Sequence, residues 1–198
     1  MSDSLFIAPI HIAVISGSTR KQRLSHRAAL FLKEHLSAKN YFISLIDLSE
    51  FQLPVFEETI DKIDTPNETV LHLYQTLKAA DAFVFVSPEY NGSYTAALKN
   101  MVDHLPTSTF YRKPIGVVSV TTGSLGGMRG AVQMQNLVTA LSGYPLPQML
   151  LVSQVNKKFD DEGRLLDLSF ERNIELFIDE LLWLTQSLAH TKSCSVTG

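Results

Sequence analysis

The chain has 198 residues, 45% hydrophobic and 19% charged, with a formal net charge of -3. That length suits one compact domain with a sizeable core, and so small a charge removes the electrostatic case for a nucleic-acid or anionic-membrane partner. No apolar segment approaches the roughly 20 residues that span a bilayer, and Cys194, the single cysteine, cannot close an internal disulfide, so the expected location is a reducing cytoplasm.

The N-terminus lacks the basic region of a secretion signal, and its apolar part runs straight into a glycine turn, so Ile10 to Ile15 reads as a first strand. The segment GSTRKQRLS follows, and then a helix to about Ala38 with Ala28, Ala29, Leu32 and Leu36 on one side. Tyr41 to Leu48 is a second strand. The connection LSEFQLPVFEE, with Pro54 near its centre, leads to a helix marked by Val70, Leu73, Tyr74 and Leu77 at the i, i+3, i+4, i+7 spacing.

The third strand, Ala82 to Val86, is apolar at every position, the pattern of a strand covered on both faces. Pro88 ends its ladder, and Ser93 or Thr95 caps a helix carrying Ala97, Met101 and Leu105. Ile115 to Val120 is a fourth buried strand, followed by TTGSLGG and a helix with Ala131, Met134, Val138 and Leu141. Gln148 to Val155 is a fifth strand, and a last helix runs from about Ser169 to Ser187. Strands alternating with helices in this way predict a doubly wound parallel α/β sheet with helices on both faces. Residues 1–189 form a single domain, and 190–198 a polar tail without pattern, disordered or docked on a partner.

Ligands of such sheets sit beyond the carboxyl ends of the strands where strand order reverses, which singles out three loops. In the first, Ser18, Thr19 and Ser25 supply hydroxyls and Arg20 or Arg23 a guanidinium at the start of a helix, a set suited to phosphate. The same residues also suit a solvated turn with capping serines. Neither G-x-x-x-x-G-K-[ST] nor G-x-G-x-x-G is present, which argues against ATP chemistry and a dinucleotide fold. The second loop, Pro88, Glu89, Tyr90, Asn91 and Gly92, can hold a flat heterocycle, although Glu89 suits a cap or salt bridge equally well. In the third, Gly123, Gly126 and Gly127 permit close backbone approach and Thr122 and Ser124 offer donors. The six histidines show no metal-ligand spacing, DDEG at 160–163 reads as a turn, and Lys99 and Asp103 pair on a helix surface.

Together GSTRKQRLS, SPEYNGSYTAALKNMVDHL and TTGSLGGMRGA resemble the NADPH-dependent FMN reductase family, a flavodoxin-like group that includes azobenzene, quinone and chromate reductases. The resemblance implies a five-stranded sheet in the order 2-1-3-4-5. It implies FMN with its phosphate at Ser18, Arg20 and Ser25, its ring system on Pro88, Glu89, Tyr90, Asn91 and Gly92, and its pyrimidine edge near Thr122, Gly123, Ser124 and Gly126. It further implies hydride transfer from NADPH or NADH through FMN to a small acceptor such as free flavin, a quinone, an azo compound or a metal oxyanion, with no side chain acting as catalytic acid or base. A homodimer or homotetramer follows from the same resemblance, with the helix after Leu98 and exposed Phe51, Leu53 and Phe56 as interface pieces, although these side chains suit a cover for their own core equally well. His104 stands where many relatives carry Trp, and His26 or Arg27 where they carry a second asparagine. The alternative function is an electron carrier or FMN-sensing module of the same fold, against which the cations Arg20, Lys21 and Arg23 speak.

Overall fold

The structure is a computed structural model describing residues 10–194, with side chains as far as residue 189. Parallel strands β1 (His11–Ser16), β2 (Phe42–Asp47), β3 (Ala82–Pro88) and β4 (Pro114–Val120) pair in the order β2-β1-β3-β4. Two short segments, β5 (Tyr144–Pro145) and β6 (Leu150–Val152), both pair with β4 in parallel and together fill the fifth position. The expected 2-1-3-4-5 order is therefore present. The fifth strand is split, however, because Pro145 and Pro147 lack the N–H a continuous ladder needs. Val155, expected at that strand's end, instead opens a one-turn helix, α5 (Val155–Lys158).

Helices α1 (Ser25–Ala38), α2 (Glu68–Ala79), α3 (Ala96–Asp103), α4 (Met128–Ala140) and α6 (Glu171–Cys194) cover the sheet. The interior strands are buried on both faces, and their side chains divide between two cores by alternation. Ile12, Val14, Val84 and Val118 face α1 and α6, where they meet Leu32, Phe177 and Leu181. Ala13, Ile15, Phe83, Phe85 and Val117 face Leu73, Leu98, Met101 and Met134 of α2, α3 and α4. Gly116 is fixed by this packing, since a Cβ there would lie 2.5 Å from the Phe177 ring.

Thr95 caps α3 by accepting from the Leu98 amide at 3.2 Å, and Asn67 caps α2 through the Thr69 and Val70 amides. The last helix does not stop near Ser187 but continues to Cys194, so the first part of the expected tail is helical. Adding a turn to an established helix costs little even for modest helix formers. The rest of that tail, residues 195–198, lies outside the described residues.

Candidate functional site

The carboxyl ends of β1, β3 and β4, neighbours in the sheet, bring the three loops to one edge. Between them lies a cavity of about 420 Å³, to which the first loop contributes Arg20, Arg23 and Ser25, the second Pro88, Glu89 and Tyr90, and the third Thr121 and Thr122. Val155 of α5 closes one wall. Six of the expected site residues thus share one cavity; the other six surround it.

The first loop leaves β1 tightly. The Gly17 amide donates to Val86 O at 2.8 Å, and the Thr95 hydroxyl donates to Gly17 O, tying the loop to β3 and α3. A Cβ on Gly17 would sit 3.0 Å from Val86 O, so the close approach itself requires glycine. Ser18 is fully buried and shares a hydrogen bond with the Tyr90 hydroxyl at 3.3 Å, which links the first and second loops. The Arg20 guanidinium lies 5.7 Å from the Tyr90 ring centroid, and among the described residues it joins no ion pair. Arg23 donates to Asp47 at the end of β2, and Arg27 to Asp161 and to Phe159 O. Of the cavity's two guanidinium groups, then, one is already paired within the protein.

Helix α1 begins beside Arg20 with no side chain capping it, so its first amides and the positive end of its dipole face the loop. Ser25, its first residue, is 2% exposed, and its Oγ has no hydrogen-bond partner among the described residues. A buried hydroxyl left unpaired costs about 1–3 kcal/mol, a cost that an acceptor placed in the cavity removes. His26 follows, with Nδ1 3.0 Å from Ser16 Oγ and 3.6 Å from Asp47; burial lowers its pKa from 6.5, and Asp47 opposes that shift in part.

The second loop is a tight turn closed by Tyr90 and Ser93, which exchange backbone hydrogen bonds of 2.8 and 3.0 Å. Asn91 and Gly92 occupy its two central positions with φ of 52° and 82°, the left-handed pair of a type I′ turn. The Glu89 carboxylate accepts from Arg129 at 2.8 and 3.1 Å and from the Gly130 amide at 3.2 Å, capping α4. Burial opposes its ionisation, but the Gly130 amide and Arg129 outweigh that and hold the carboxyl below its usual range. The Glu89 amide also donates to Val120 O at 3.3 Å, so the residue serves mainly to hold the second loop against β4 and α4.

The third loop is shaped largely by its own packing. Gly126 and Gly127 have φ of 64° and 73°, and Cβ atoms there would lie 2.8 Å from Leu151 Cβ and 2.3 Å from Ser119 Oγ. Thr121 Oγ1 accepts from the Gly123 amide at 3.2 Å, and the Gly123 carbonyl accepts from Gln154 at 3.0 Å. Thr122, Gly123 and Ser124 are exposed at the rim, whereas Gly126 is buried against β6. Val155 in the cavity wall was missed from sequence, as was Gln154, which holds the Gly123 carbonyl; its left-handed φ of 47° belongs to a residue with no glycine-like signature.

The connection after β2 takes the second of its two readings and covers the protein's own core. Phe51 and Leu53 pack partly buried on the α2–α4 core, and Phe56 is half-buried with its ring 5.7 Å from that of His104. Val55 is the exposed large hydrophobic residue of this segment. Asn100, part of the motif after the second loop, grips this segment by donating to Pro54 O at 2.7 Å and accepting from Phe56 N at 2.8 Å, while His104 contacts Pro54 O at 3.0 Å. Lys99 and Asp103 pair at 2.6 Å, and the 160–163 turn is closed by a Phe159–Leu165 bridge, both as expected. No cluster of metal-ligating side chains occurs among the described residues, and none of their helices is long and apolar enough to cross a membrane.

Residues 10–157 match the family described as NADPH-dependent FMN reductase. An FMN-dependent NADPH-azoreductase of Staphylococcus saprophyticus is 31% identical over 169 residues, which are 80% of this chain and 87% of that protein. The enzyme of the same description from Staphylococcus aureus is 29% identical over 176 residues, 85% of this chain and 92% of its own. Among solved structures, the flavoenzyme NAD(P)H:(acceptor) oxidoreductase FerB from Paracoccus denitrificans superposes with a TM-score of 0.78 at 21% identity. That superposition covers 90% of this chain and 98% of FerB, a likeness of fold.

Proposed function

Because the chain belongs to the NADPH-dependent FMN reductase family, we propose that the three-loop cavity holds FMN and passes reducing equivalents from NAD(P)H to a small, flat, electron-poor acceptor such as an azo compound or a quinone. The protein is an oxidoreductase that uses FMN and NAD(P)H; the acceptor and the residues that hold the cofactor are this reading's own. The observation that carries it is Ser25, whose buried, unpartnered hydroxyl stands at the uncapped start of α1 in the cavity that Arg20 also lines.

The residues fit the group. A phosphate supplies the acceptor that Ser25 Oγ lacks, takes the charge of Arg20, and meets the positive end of α1. Ser18 acts through Tyr90, whose hydroxyl it holds, so that the aromatic face of Tyr90 and the ring of Pro88 form a fixed wall for a flat heterocycle. The rim residues Asn91, Gly92, Thr122 and Ser124 offer amides and hydroxyls toward a polar edge, Gly123 lends that rim a side-chain-free surface, and Gly126 keeps it in place from behind. When bound, FMN supplies the hydride chemistry. The chain's own contribution is to bind, to orient and to set the electrostatics of that edge, and no proton transfer is assigned to a side chain. We further read the working unit as a homodimer or homotetramer in the cytoplasm, with exposed Val55, Leu125, Met128 and Val132 as candidate contacts between copies.

The test is an anaerobic stopped-flow experiment on FMN-saturated protein. Loss of the visible flavin absorbance on adding NADPH or NADH, and its return on adding a quinone or azo dye, is the expected result. A bound flavin that neither nucleotide bleaches would refute the reductase reading, and failure to bind FMN would refute the site.

A further inference from the structure

The cavity has two guanidinium groups, and only one is neutralised from within the protein. Arg23 donates to Asp47, a carboxylate 6% exposed at the end of β2, whose other oxygen accepts from the Ser49 amide at 3.1 Å and the Ser49 hydroxyl at 2.9 Å. His26 is the remaining ionisable group facing Asp47, at 3.6 Å, and burial favours its neutral form. Arg23 and Asp47 therefore form a pair with no net charge against the cavity wall. Arg20, by contrast, is exposed, and among the described residues no carboxylate opposes it.

We propose that Asp47 limits how tightly the first loop holds a phosphate by neutralising Arg23, leaving Arg20 to set the net charge of the cradle; the inference rests on the FMN site proposed above. The physical reason is that a phosphate dianion feels the sum of the charges around it. A carboxylate directly behind the cavity wall subtracts one unit at a range where screening by salt is incomplete. Asp47 also gives one Nη of Arg23 its partner before any ligand arrives, while Nε stays buried without a partner among the described residues. The arrangement suits a cofactor that is held by orientation and can still exchange. A cradle built for permanent retention would leave both arginines to the phosphate.

Charge makes a prediction whose signs differ from those of a merely structural role. Binding of FMN and of riboflavin, which lacks the phosphate, is measured by titration calorimetry on the full chain and on three variants. Asp47→Asn, nearly the same shape, is expected to bind FMN about tenfold more tightly. Arg23→Gln is expected to bind it about tenfold more weakly, and the double variant Arg23→Gln/Asp47→Asn should return to within about threefold of wild type, because its net charge is restored. Riboflavin affinity should be unchanged throughout. Weaker FMN binding by Asp47→Asn, or a double variant no better than Arg23→Gln, would overturn the proposal. Should Asp47→Asn not fold, the double variant against Arg23→Gln alone still decides it. A wild-type protein that binds FMN no better than riboflavin would instead refute the phosphate site itself.

Discussion

The first and third loops look alike as sequence: each follows an interior strand, carries glycine and hydroxyls, and opens onto a helix. In the folded protein they are opposites. The third loop has its groups engaged already, since Gly126 and Gly127 make room for Leu151 and Ser119, Thr121 binds the Gly123 amide, and the helix it opens is capped by Glu89. Among the described residues, the first loop leaves Ser25 Oγ without a partner, Arg20 without a carboxylate and α1 without a side-chain cap. A glycine-rich loop at the right edge of a sheet is thus weak evidence of ligand contact. A polar group that the protein buries against a cavity and leaves unsatisfied is stronger evidence, because it is a cost that a ligand or an ordered water there offsets.

That contrast can be broken by substitution, beginning with its largest expected effect. Gly127→Ala places a methyl group 2.3 Å from Ser119 Oγ at a φ of 73°, and strain plus overpacking should cost about 3 kcal/mol in urea unfolding. A loss under about 1 kcal/mol would show that the loop yields and that its shape is not fixed by packing. In the first loop, Arg20→Ala should cost about 2 kcal/mol of FMN binding by calorimetry, the size of a charge-assisted hydrogen bond, and nothing in riboflavin binding. Equal losses for both ligands would remove Arg20 from the phosphate.

Ser25→Ala should act with opposite signs on the two states: the free protein gains about 1 kcal/mol because a buried unpaired hydroxyl is gone, while FMN binding weakens several-fold. If the free protein is destabilised, Ser25 is serving the fold rather than a ligand.

A smaller effect concerns pH. The folded pKa of His26 lies below its ordinary 6.5, chiefly through burial, so the unfolded chain takes up its proton first. Its contribution is intact above about pH 6.5 and is lost as the pH falls through the lowered folded value. His26→Gln should accordingly flatten the part of the urea midpoint's decline that begins near about pH 6.5; an unaltered decline would assign the acid sensitivity to other groups. Smallest of all, Gly123→Ala meets nothing closer than Thr121 Oγ1 at 3.6 Å, so its stability should change by less than about 0.5 kcal/mol. Any weakening of FMN binding in that variant would then report contact at the rim.

Much of this molecule is legible in the chain because the relevant physics is local. A run such as Ala82 to Val86 reads as a doubly covered strand, Thr95 marks a helix start through its own side chain, and strands alternating with helices give a parallel sheet whose strand-to-helix loops gather at one edge. The fold class, the edge that carries the candidate site and the hydroxyl-and-cation chemistry of the first loop follow from that, while the strand order follows from the family resemblance. Which arginine is free does not, because Arg23 is neutralised by Asp47, 24 residues away on another strand, and Glu89 is engaged by Arg129, 40 residues on. Nor does the split fifth strand, or which of the two readings of Phe51 and Leu53 holds. Spacing along the sequence says which groups are present at an edge, whereas their charge balance and hydrogen-bond vacancies depend on partners that only the packed structure brings within reach.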